Sequence, residues 1–318
     1  MTKVSIVMPT RNRAALLPAT IESARAASRD AEIIIVDDGS TDTTEDVCRA
    51  IGGINYIRMQ RPVGTSEARN IAIDASKADY IAFLDDDDLR LPGTIDRQVD
   101  ILDSSWSAGL VCARAFVGDW RFSLPTGWII PAEGFSGDVF WRLLEANYIA
   151  TSTVVARRTA LVECGLFDPD LDTLEDYDLW VRLAERYRFE YLPEPVAVYR
   201  GRGDLSGQKT SDRALHERIH KALHLRLLDL PRAAAASGRA RRAVHKRHMA
   251  IIYDSLIYDA SLSVMNGNVE AARSYLQAAV RMRPFHPKAH GSLLWLQMRQ
   301  GQLDYSESGR YPAGEAAA

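Results

Sequence analysis

Four consecutive aspartates, Asp85 to Asp88, form the residue group with the clearest chemical potential in this sequence. Adjacent carboxylates repel one another unless they cap backbone N–H groups, take up protons or hold a cation. The apolar run Ile81 to Leu84 precedes them and predicts a strand buried on both faces of a parallel sheet. Because open α/β sheets bind ligands at the carboxyl ends of their strands, a cation is attractive here. If the backbone stays extended, Asp85 and Asp87 project to one side.

Two hard oxygen ligands on one side favour Mg²⁺ or Mn²⁺, whose remaining positions substrate phosphates usually fill. The alternative is structural: the aspartates form a solvated turn and cap the helix that Pro92 would begin. One or two caps account for one or two aspartates rather than four. Taken alone, this stretch leaves both interpretations open.

The elements that would position this group alternate between strand and helix from the N-terminus. Strands are predicted at 4–8, 33–36 and 54–58. Helices are predicted at about 15–27, from Asp42 to about Ile51, and after Gly64. Right-handed crossovers then give a parallel, doubly wound sheet whose loops after Met8, Val36 and Leu84 open at one edge. Three polar groups converge there: Arg11, Asn12 and Arg13; Asp37 and Asp38; and Asp85 to Asp88. They predict a metal–nucleotide site, with cations and amides for phosphate and acceptors for a base or ribose.

A second carboxylate group, Glu175, Asp176 and Asp178, begins a predicted helix. The helix dipole stabilises carboxylates in a first turn and keeps them ionised, so they could accept a proton. Acidic first turns are also common in helices without any catalytic role. The pattern alone therefore leaves a structural role and a catalytic role open.

Five segments, in this order, resemble motifs of the family 2 glycosyltransferases with the GT-A fold. They are VSIVMPTRNR, IIIVDDGSTD, GTSEARN, FLDDDDLRLP and LFDPDLDTLEDYDLWVRLA, and they span roughly residues 1–205. The resemblance implies an α/β fold, with a doubly wound, mostly parallel Rossmann-like sheet. After Gly207 the composition shifts to that of helices, which predicts a C-terminal helical appendage. Residues 1–207 would form the catalytic domain, with the nucleotide-sugar half at about 1–105 and the acceptor half at about 106–207. Residues 208–304 would be helical, and 305–318 a disordered tail.

The resemblance also implies roles for particular residues. Base-binding positions map to Pro9, Thr10 and Asp38, with Asp37 beside them, and Arg69 would contact the nucleotide. Arg11 and Arg13 keep the phosphate-binding role that the converging loops predict. The D-x-D motif maps to Asp85, Asp86 and Asp87. Of these, Asp87 would be the main metal ligand, and Asp85 and Asp86 would lie near the ribose or the metal. Asp88 would orient the loop. Asp176 would be the catalytic base, with Glu175 and Asp178 as second candidates.

The reaction so implied is an inverting, hexosyltransferase-type transfer (EC 2.4 class) assisted by Mn²⁺ or Mg²⁺. The donor would be a nucleotide-sugar, with UDP as the expected nucleotide, and the acceptor a glycan or lipid-linked sugar of polysaccharide biosynthesis. Arg202 stands where the family often has histidine, and it would contact phosphate oxygens directly. Trp106, Trp120, Trp128 and Trp141 lie in the acceptor half, where an indole could stack on a sugar ring. A further strand with small polar residues that could line the pocket is predicted at 148–156.

Composition limits the remaining classes of function. The net charge of −3 gives no reason to expect nucleic acid as a partner. The three cysteines are far apart, so neither a zinc knuckle nor a disulfide framework is expected. Without a signal-peptide core or an apolar run of about 20 residues, the sequence predicts a cytoplasmic protein. Peripheral contact with the inner face of the cell membrane, or with a protein, is expected to involve the C-terminal helices. No G-x-G-x-x-G motif follows the first strand, which argues against a dinucleotide oxidoreductase.

Two rival functions come from other classes. His216, Glu217 and His220 match H-E-x-x-H, the helix motif of zinc proteases, although no third-ligand motif follows. The second rival is an inactive GT-A-like interaction protein. Loss of the acidic groups would favour it, but both groups are present.

Overall fold

A nine-stranded mixed sheet organises the first part of the chain. The computed structural model describes residues 2–118, 129–171, 173–200, 213–265, 267–294 and 296. Four parallel strands form one half of the sheet, in the order β3-β2-β1-β4. They are β1 (Val4–Thr10), β2 (Glu32–Asp37), β3 (Asn55–Arg58) and β4 (Tyr80–Phe83). The predicted doubly wound start of the chain is therefore confirmed, with strand bounds within two residues of those expected.

The other half of the sheet continues from β4 in the order β8-β6-β9-β5, and β7 pairs with β6. These strands are β5 (Leu89–Arg90), β6 (Ala108–Gly118), β7 (Ile129–Ile130), β8 (Val155–Arg157) and β9 (Arg188–Arg200). Strand β8 is antiparallel to both β4 and β6, whereas β6 and β9 run parallel. The four parallel strands are therefore bordered by β8, which runs in the opposite direction to them.

The strand predicted at 148–156 is mostly wrong. Residues Thr151–Thr153 form a 3₁₀ turn, and the strand is limited to Val155–Arg157. The Thr153 hydroxyl donates to the Ala150 carbonyl at 2.7 Å, and the Thr153 amide donates to the same oxygen at 2.9 Å. Threonine side chains that bond the local backbone compete with strand ladders, which explains the turn.

Helices cover both faces of the sheet and contain most of the described residues after 212. Their bounds are α1 Leu17–Ala27, α2 Thr44–Ile51, α3 Thr65–Ala75, α4 Thr94–Ser104, α5 Phe140–Glu145, α6 Arg158–Glu163, α7 Glu175–Arg186, α8 Arg213–Leu227, α9 Pro231–Ala234, α10 Gly238–Met265 and α11 Val269–Met282. One core, with Phe83, Phe167 and Trp180 packed edge to face, lies between the sheet and α3, α5 and α7. A second core on the other face includes Leu17, Ile21 and Ile95 of α1 and α4.

A buried arginine holds the two halves of the sheet together near the end of β4. Arg90 is 2% exposed and donates to the Phe83 carbonyl at 3.3 Å and the Val154 carbonyl at 2.9 Å. Gln98 of α4 accepts from Arg90 at 2.7 Å and donates to the Thr153 carbonyl at 2.7 Å. Burial lowers the pKa of Arg90 to about 9, although Asp88 opposes this effect. The polar groups around Arg90 therefore fix the point from which the aspartate turn leaves the sheet.

The chain divides into two compact units, Met1–Ser211 with Ala222–His245, and Asp212–Lys221 with Lys246–Ala318. In the first unit, the core on the α7 side includes Leu223, Leu227, Leu228, Ala233 and Val244. In the second unit, Tyr253, Leu256 and Ile257 of α10 share a core with Ala272 and Leu276 of α11. None of the described helices is both long and apolar enough to cross a membrane.

Candidate active site

The loops after β1, β2 and β4 meet at one edge of the sheet, as the sequence predicts. Thr10 at the end of β1 donates through its hydroxyl to Asp86 Oδ2 at 2.7 Å. The Thr10 carbonyl accepts from the Asp38 amide at 2.8 Å, so the loop after β2 adjoins the same residue. The convergence follows from the parallel strands, whose carboxyl ends share an edge.

The turn after β2 is held by hydrogen bonds of its own carboxylates. Asp37 is fully buried, and its carboxylate accepts from the Ser40 amide at 2.8 Å and from the Tyr56 hydroxyl. The Asp38 carboxylate accepts from the amides of Val63 and Gly64, the latter at 3.1 Å. Asp37 and Asp38 thus shape the rim that would face a base.

Asn12 links the loop after β1 to the loop after β2. Its backbone lies in the left-handed region, with φ at 54°, where asparagine is tolerated better than most residues. Its amide donates to Ser40 Oγ at 2.8 Å, and its side-chain oxygen accepts from the Thr41 amide at 2.8 Å. The Asn12 side chain is therefore part of the loop framework. The predicted role of Asn12 as a phosphate-binding amide stays a prediction.

The four aspartates after β4 form a turn in which each carboxylate has a different neighbour. The Asp88 amide donates to the Asp85 carbonyl at 3.1 Å, so the backbone is not extended and alternation does not place Asp85 beside Asp87. Asp85 pairs with Arg69 at 2.6 Å, and the Asp88 carboxylate accepts from the Arg200 amide at 2.8 Å. The guanidinium of Arg13 lies 3.9 Å from Asp86 and 3.8 Å from Asp87. Asp88 thus orients the turn, in agreement with the sequence-based interpretation.

The aspartate turn carries more negative charge than its surroundings balance. Burial and the neighbouring Asp87 raise the pKa of Asp86 to about 7, against the opposing effects of Thr10 and Arg13. Burial, Asp87 and Asp85 raise the pKa of Asp88 well above its ordinary value. A divalent cation beside Asp87 would relieve this repulsion. Among the described residues, no group of three or more His, Cys, Asp or Glu side chains that could hold a metal ion is present. Mg²⁺ and Mn²⁺ bind carboxylate oxygens, the kind of donor this turn provides, together with substrate phosphates and water.

A single buried arginine joins the aspartate turn to the second carboxylate group. Arg69 of α3 is 4% exposed and donates to Asp85 Oδ1 at 2.6 Å and to Glu175 Oε1 at 2.8 Å. Burial acts against its charge, but the Asp85 and Glu175 carboxylates outweigh burial and raise the pKa of Arg69. The guanidinium also lies 5.2 Å from the centre of the Phe167 ring. Arg69 therefore holds the aspartate turn and the start of α7 together.

Asp176, at the start of α7, differs from its acidic neighbours in its hydrogen-bond partners. Its Oδ2 atom accepts from the Thr151 hydroxyl at 3.1 Å and lies 3.4 Å from the Asn147 amide nitrogen. Asp176 forms no ion pair with any residue that the structure describes. Burial and the adjacent Glu175 raise the pKa of Asp176 to about 6, against the opposing effect of Arg69. A carboxylate of this pKa is largely ionised at neutral pH and can accept a proton.

A cavity of about 500 Å³ opens beside the loop after β1. Its lining includes Arg13 and Arg200, two cations that could face phosphate oxygens. Asn12, Asp42 and Thr43 add polar groups to the wall, and Leu16 and Val47 add apolar ones. The cavity lies next to the aspartate turn because Arg13 approaches both Asp86 and Asp87.

Comparison with known proteins supports what this geometry indicates. A sequence model described as Glycosyl transferase family 2 matches residues 5–164, half of the chain. The chain belongs to glycosyl transferase family 2. It is therefore a glycosyltransferase, as both the five motifs and the arrangement of acidic groups predict.

Relatives and solved structures agree with this family. The chain is 29% identical to the succinoglycan biosynthesis protein ExoU of Rhizobium meliloti over 80% of its own length and 77% of the relative. It is 30% identical to WfaP of Escherichia coli, named as a UDP-Glc:alpha-D-GlcNAc-diphosphoundecaprenol beta-1,3-glucosyltransferase, over 58% of this chain and 72% of the relative. For another relative, an uncharacterized glycosyltransferase of Rickettsia bellii, the match covers only 29% of the relative's own length. The S. aureus TarS 1-349 structure with UDP-GlcNAc superposes with a TM-score of 0.60 at 15% identity, over 98% of this chain and 93% of that chain. This superposition confirms the GT-A fold.

Asp178 of this glycosyltransferase is not brought to the site. Its buried carboxylate accepts from Arg182 Nε at 2.8 Å and from Arg226 Nη2 at 2.7 Å. Arg182 and Arg226 therefore hold Asp178 in ion pairs. These pairs do not favour Asp178 as the base, and its catalytic role stays a prediction. The residues that sequence reasoning missed are Thr151 and Asn147, which support Asp176. The small polar residues predicted to line the pocket at 148–156 were the available signal.

The remaining predicted residues differ in how far the structure describes them. Pro9 lies within β1, paired with Val36, and the Arg11 side chain is exposed. Trp106 is 89% exposed and Trp141 is partly buried against the core, whereas Trp120, Trp128 and Arg202 lie outside the described residues. The aromatic acceptor surface therefore stays a prediction.

The zinc-protease interpretation gains no support from family or geometry. The side chains of His216 and Glu217 lie outside what the structure describes. His224, one helical turn beyond His220, is fully buried, and its Nε2 atom bonds the Leu144 carbonyl at 2.8 Å. With family 2 membership shown, the protease alternative is not favoured.

Proposed function

We propose that this enzyme is an inverting, metal-assisted transferase that moves a sugar from a UDP-sugar to a glycan or lipid-linked acceptor. The observation that carries the proposal is the buried bridge from Asp85 through Arg69 to Glu175. This bridge joins the aspartate turn, which is suited to a metal–diphosphate, to the start of α7. Asp176, the residue after Glu175 in that helix, has a pKa of about 6. Sugar transfer needs these two functions side by side.

The donor would bind where the loops after β1, β2 and β4 meet. Pro9, Thr10, Asp37 and Asp38 would form the rim around the base, and the exposed Arg11 would contact phosphate with Arg13. The cavity lined by Arg13 and Arg200 offers space and positive charge beside this rim. UDP as the nucleotide follows from WfaP, whose name gives UDP-Glc as donor, and from the UDP-GlcNAc complex of TarS.

Asp87 would hold Mn²⁺ or Mg²⁺, with Asp85 and Asp86 close enough to assist through oxygen or bound water. When bound, the ion neutralises the diphosphate leaving group, a contribution usually worth several kcal/mol. The unbalanced carboxylates of the turn, with the raised pKa of Asp86, support this assignment. Arg13 would add a fixed positive charge on the same side, and Arg69 would keep Asp85 in position.

Asp176 would act as the general base. It would remove the proton from an acceptor hydroxyl as the oxygen attacks the anomeric carbon on the side opposite the leaving nucleotide, so that the anomeric centre inverts. Thr151 and Asn147 hold its carboxylate, while Glu175 is occupied by Arg69. This assignment leaves Glu175 with a positioning role.

The acceptor class is inferred from the relatives. ExoU is named for succinoglycan biosynthesis, and WfaP for transfer to a sugar on diphosphoundecaprenol. A glycan or lipid-linked sugar in polysaccharide biosynthesis is therefore the acceptor we propose, with the reaction on the cytoplasmic side.

A thermal-shift screen of nucleotide-sugars with and without Mn²⁺ tests the donor proposal, because ligand binding raises stability by mass action. We expect a UDP-sugar with Mn²⁺ to raise the melting temperature more than either alone. The product of the best donor should then show an inverted anomeric configuration by NMR. A larger shift with GDP-sugars would replace the nucleotide, and retained configuration would contradict the mechanism.

A further inference from the structure

Strand β6 carries an arginine, Arg114, to the height of the aspartate turn. Strand β8 pairs with both β4 and β6, so Ala82 and Val111 lie opposite the same residue, Val155. Because β8 is antiparallel to both strands, β4 and β6 run in the same direction. Three further residues lead to Asp85 along one path and to Arg114 along the other. Arg114 therefore lies at the edge of the sheet that carries the candidate active site.

The Arg114 side chain belongs to the face of the sheet that α7 covers. Leu110 and Cys112 contribute to the core on that face, and side chains alternate between the two faces along a strand. Ala115 belongs to a separate cluster, in agreement with this alternation. Arg114 thus shares both its face and its edge of the sheet with Asp176 at the start of α7.

Within the described residues, Arg114 is held by neutral oxygen atoms. Its Nε donates to the Tyr191 hydroxyl at 2.9 Å, and its Nη2 donates to the Ala132 carbonyl at 2.8 Å. These bonds use two of the five N–H groups of the guanidinium. The side chain is half-buried and forms no ion pair with a described residue. A cation in this position is suited to an incoming anion.

The loop at 132–135 connects Arg114 to a second arginine. The guanidinium of Arg142 lies 3.9 Å from the centre of the Phe135 ring, and that ring packs edge to face on Tyr148 at 5.5 Å. Tyr148 follows Asn147, whose amide nitrogen lies 3.4 Å from Asp176 Oδ2. Arg142 is exposed and pairs with no carboxylate that the structure describes. It is therefore linked through Phe135 and Tyr148 to the segment that holds Asp176.

We propose that Arg114, assisted by Arg142, binds an anionic phosphate or carboxylate group of the acceptor and thereby selects acceptors that carry one. The inference rests on the proposed sugar transfer, in which Asp176 takes the proton of the acceptor hydroxyl. A planar guanidinium donates to two oxygens of one phosphate or carboxylate at once, which a neutral sugar hydroxyl does not offer. The acceptor would be held at its charged group while its hydroxyl faces Asp176.

Two other roles for Arg114 make different predictions. Glu133, the carboxylate closest in sequence to the bond between Arg114 and Ala132, is exposed and pairs with neither arginine. An internal ion pair therefore does not use this charge. If Arg114 only supports the loop at 132–135, its loss should weaken every acceptor alike, whether charged or neutral. Selection by charge instead requires that the anionic acceptors alone be weakened.

NMR titration of the full chain, loaded with UDP and Mg²⁺, tests the proposal with methyl α-glucoside, glucose 1-phosphate and glucuronate. At least one charged probe should bind about tenfold more tightly than the neutral one, the size expected for a charge-assisted hydrogen bond. A preference for one charged probe would identify phosphate or carboxylate as the group selected. Arg114→Met should remove this preference without weakening methyl α-glucoside. Arg114→Lys should keep part of it, because the charge remains and the two-pronged geometry is lost.

The matched control is Arg158→Met. Arg158 is also half-buried and donates to a backbone carbonyl, that of Ile73 at 3.2 Å, but it follows β8 at the opposite edge of the sheet. This variant should keep the preference, and circular dichroism and melting curves should confirm that each variant folds.

Three results would overturn the proposal: charged probes that bind no better than the neutral one, an equal loss for all probes in Arg114→Met, or the same loss of preference in Arg158→Met. Failure of UDP to bind would instead count against the proposed function. The same titration without UDP would then still measure the preference that Arg114 supplies.

Discussion

The two acidic groups of this enzyme, the turn at 85–88 and the helix start at 175–178, are similar in sequence and different in structure. In the turn, four consecutive carboxylates lie close together near Arg69 and Arg13. Burial and mutual repulsion raise the pKa of Asp86 and Asp88. In the first turn of α7, arginines pair with Glu175 and Asp178, whereas the described hydrogen bonds of Asp176 come from neutral donors. The partner that each carboxylate receives from distant parts of the chain therefore decides whether it serves structure or chemistry.

The largest effect is expected from Asp176→Asn, which removes the carboxylate in the first turn of α7 that forms no ion pair with a described residue. The rate of sugar transfer should fall by about 10²- to 10⁴-fold, as is typical when a general base is lost. Donor affinity, measured by calorimetry, should change little because the aspartate turn is untouched. The matched control is Asp178→Asn two residues away, which should lower the melting temperature but keep transfer within a few-fold. Equal transfer in Asp176→Asn and the unchanged enzyme would remove Asp176 as the base.

The same variant also has a pH-dependent effect on stability. The pKa of Asp176 in the folded protein, about 6, lies above its ordinary value of 3.8, so folding opposes its ionisation. The stability present at low pH is lost as the pH rises through about 6. Urea unfolding should therefore find Asp176→Asn more stable than the unchanged protein at pH 8 and nearly equal to it below about pH 4.

The next largest effect is expected from Asp87→Ala in the turn. Donor binding in the presence of Mn²⁺ should weaken by about 100-fold, a loss of the size that metal assistance supplies. Asp46→Ala, which removes an exposed carboxylate from α2, is the matched control and should leave affinity unchanged. Unaltered Mn²⁺-dependent affinity in Asp87→Ala would move the metal ligand elsewhere in the turn.

Arg69→Met tests the link between the two groups. Loss of the guanidinium leaves the Asp85 and Glu175 carboxylates without their cation, and breaking a buried pair of this kind costs about 3–5 kcal/mol in unfolding free energy. Urea unfolding should show this loss. Adding Glu175→Gln should recover part of it, because one unpaired charge is removed. A loss in the double variant equal to the sum of the two single losses would mean that the two residues are not coupled.

The smallest effect is expected from Thr151→Val, which keeps the shape of the side chain and removes one hydrogen bond to Asp176. That bond favours the ionised carboxylate, so the pKa of Asp176 should rise further. The acidic limb of the kcat/KM profile should move to higher pH by up to about one unit, since one hydrogen bond contributes about 1 kcal/mol. Above that limb, kcat/KM should match the unchanged enzyme. A uniform loss at every pH would assign Thr151 a role other than holding the base.

Sequence reasoning succeeded where local pattern and chain topology act alone. The apolar runs at Val4, Ile33 and Ile81 predicted the parallel strands, and the crossover rule then brought Thr10, Asp38 and Asp86 to one edge. It failed where a partner comes from far along the chain. The capture of Asp178 by Arg226, 48 residues later, has no local signal. The 3₁₀ turn at Thr151–Thr153 was missed because hydroxyl-to-backbone bonds displaced a strand pattern.

The interlocked loops around Asn12 have a thermodynamic consequence for donor binding. Bonds from Asn12 and Asp37 to Ser40 and Thr41 already fix the rim that would receive the base. Little conformational entropy then remains to be lost in those loops when a nucleotide arrives, so the contacts made there would be converted into affinity with a small ordering cost. Calorimetry of UDP alone should accordingly give a binding entropy less unfavourable than expected for ligands that order a loop.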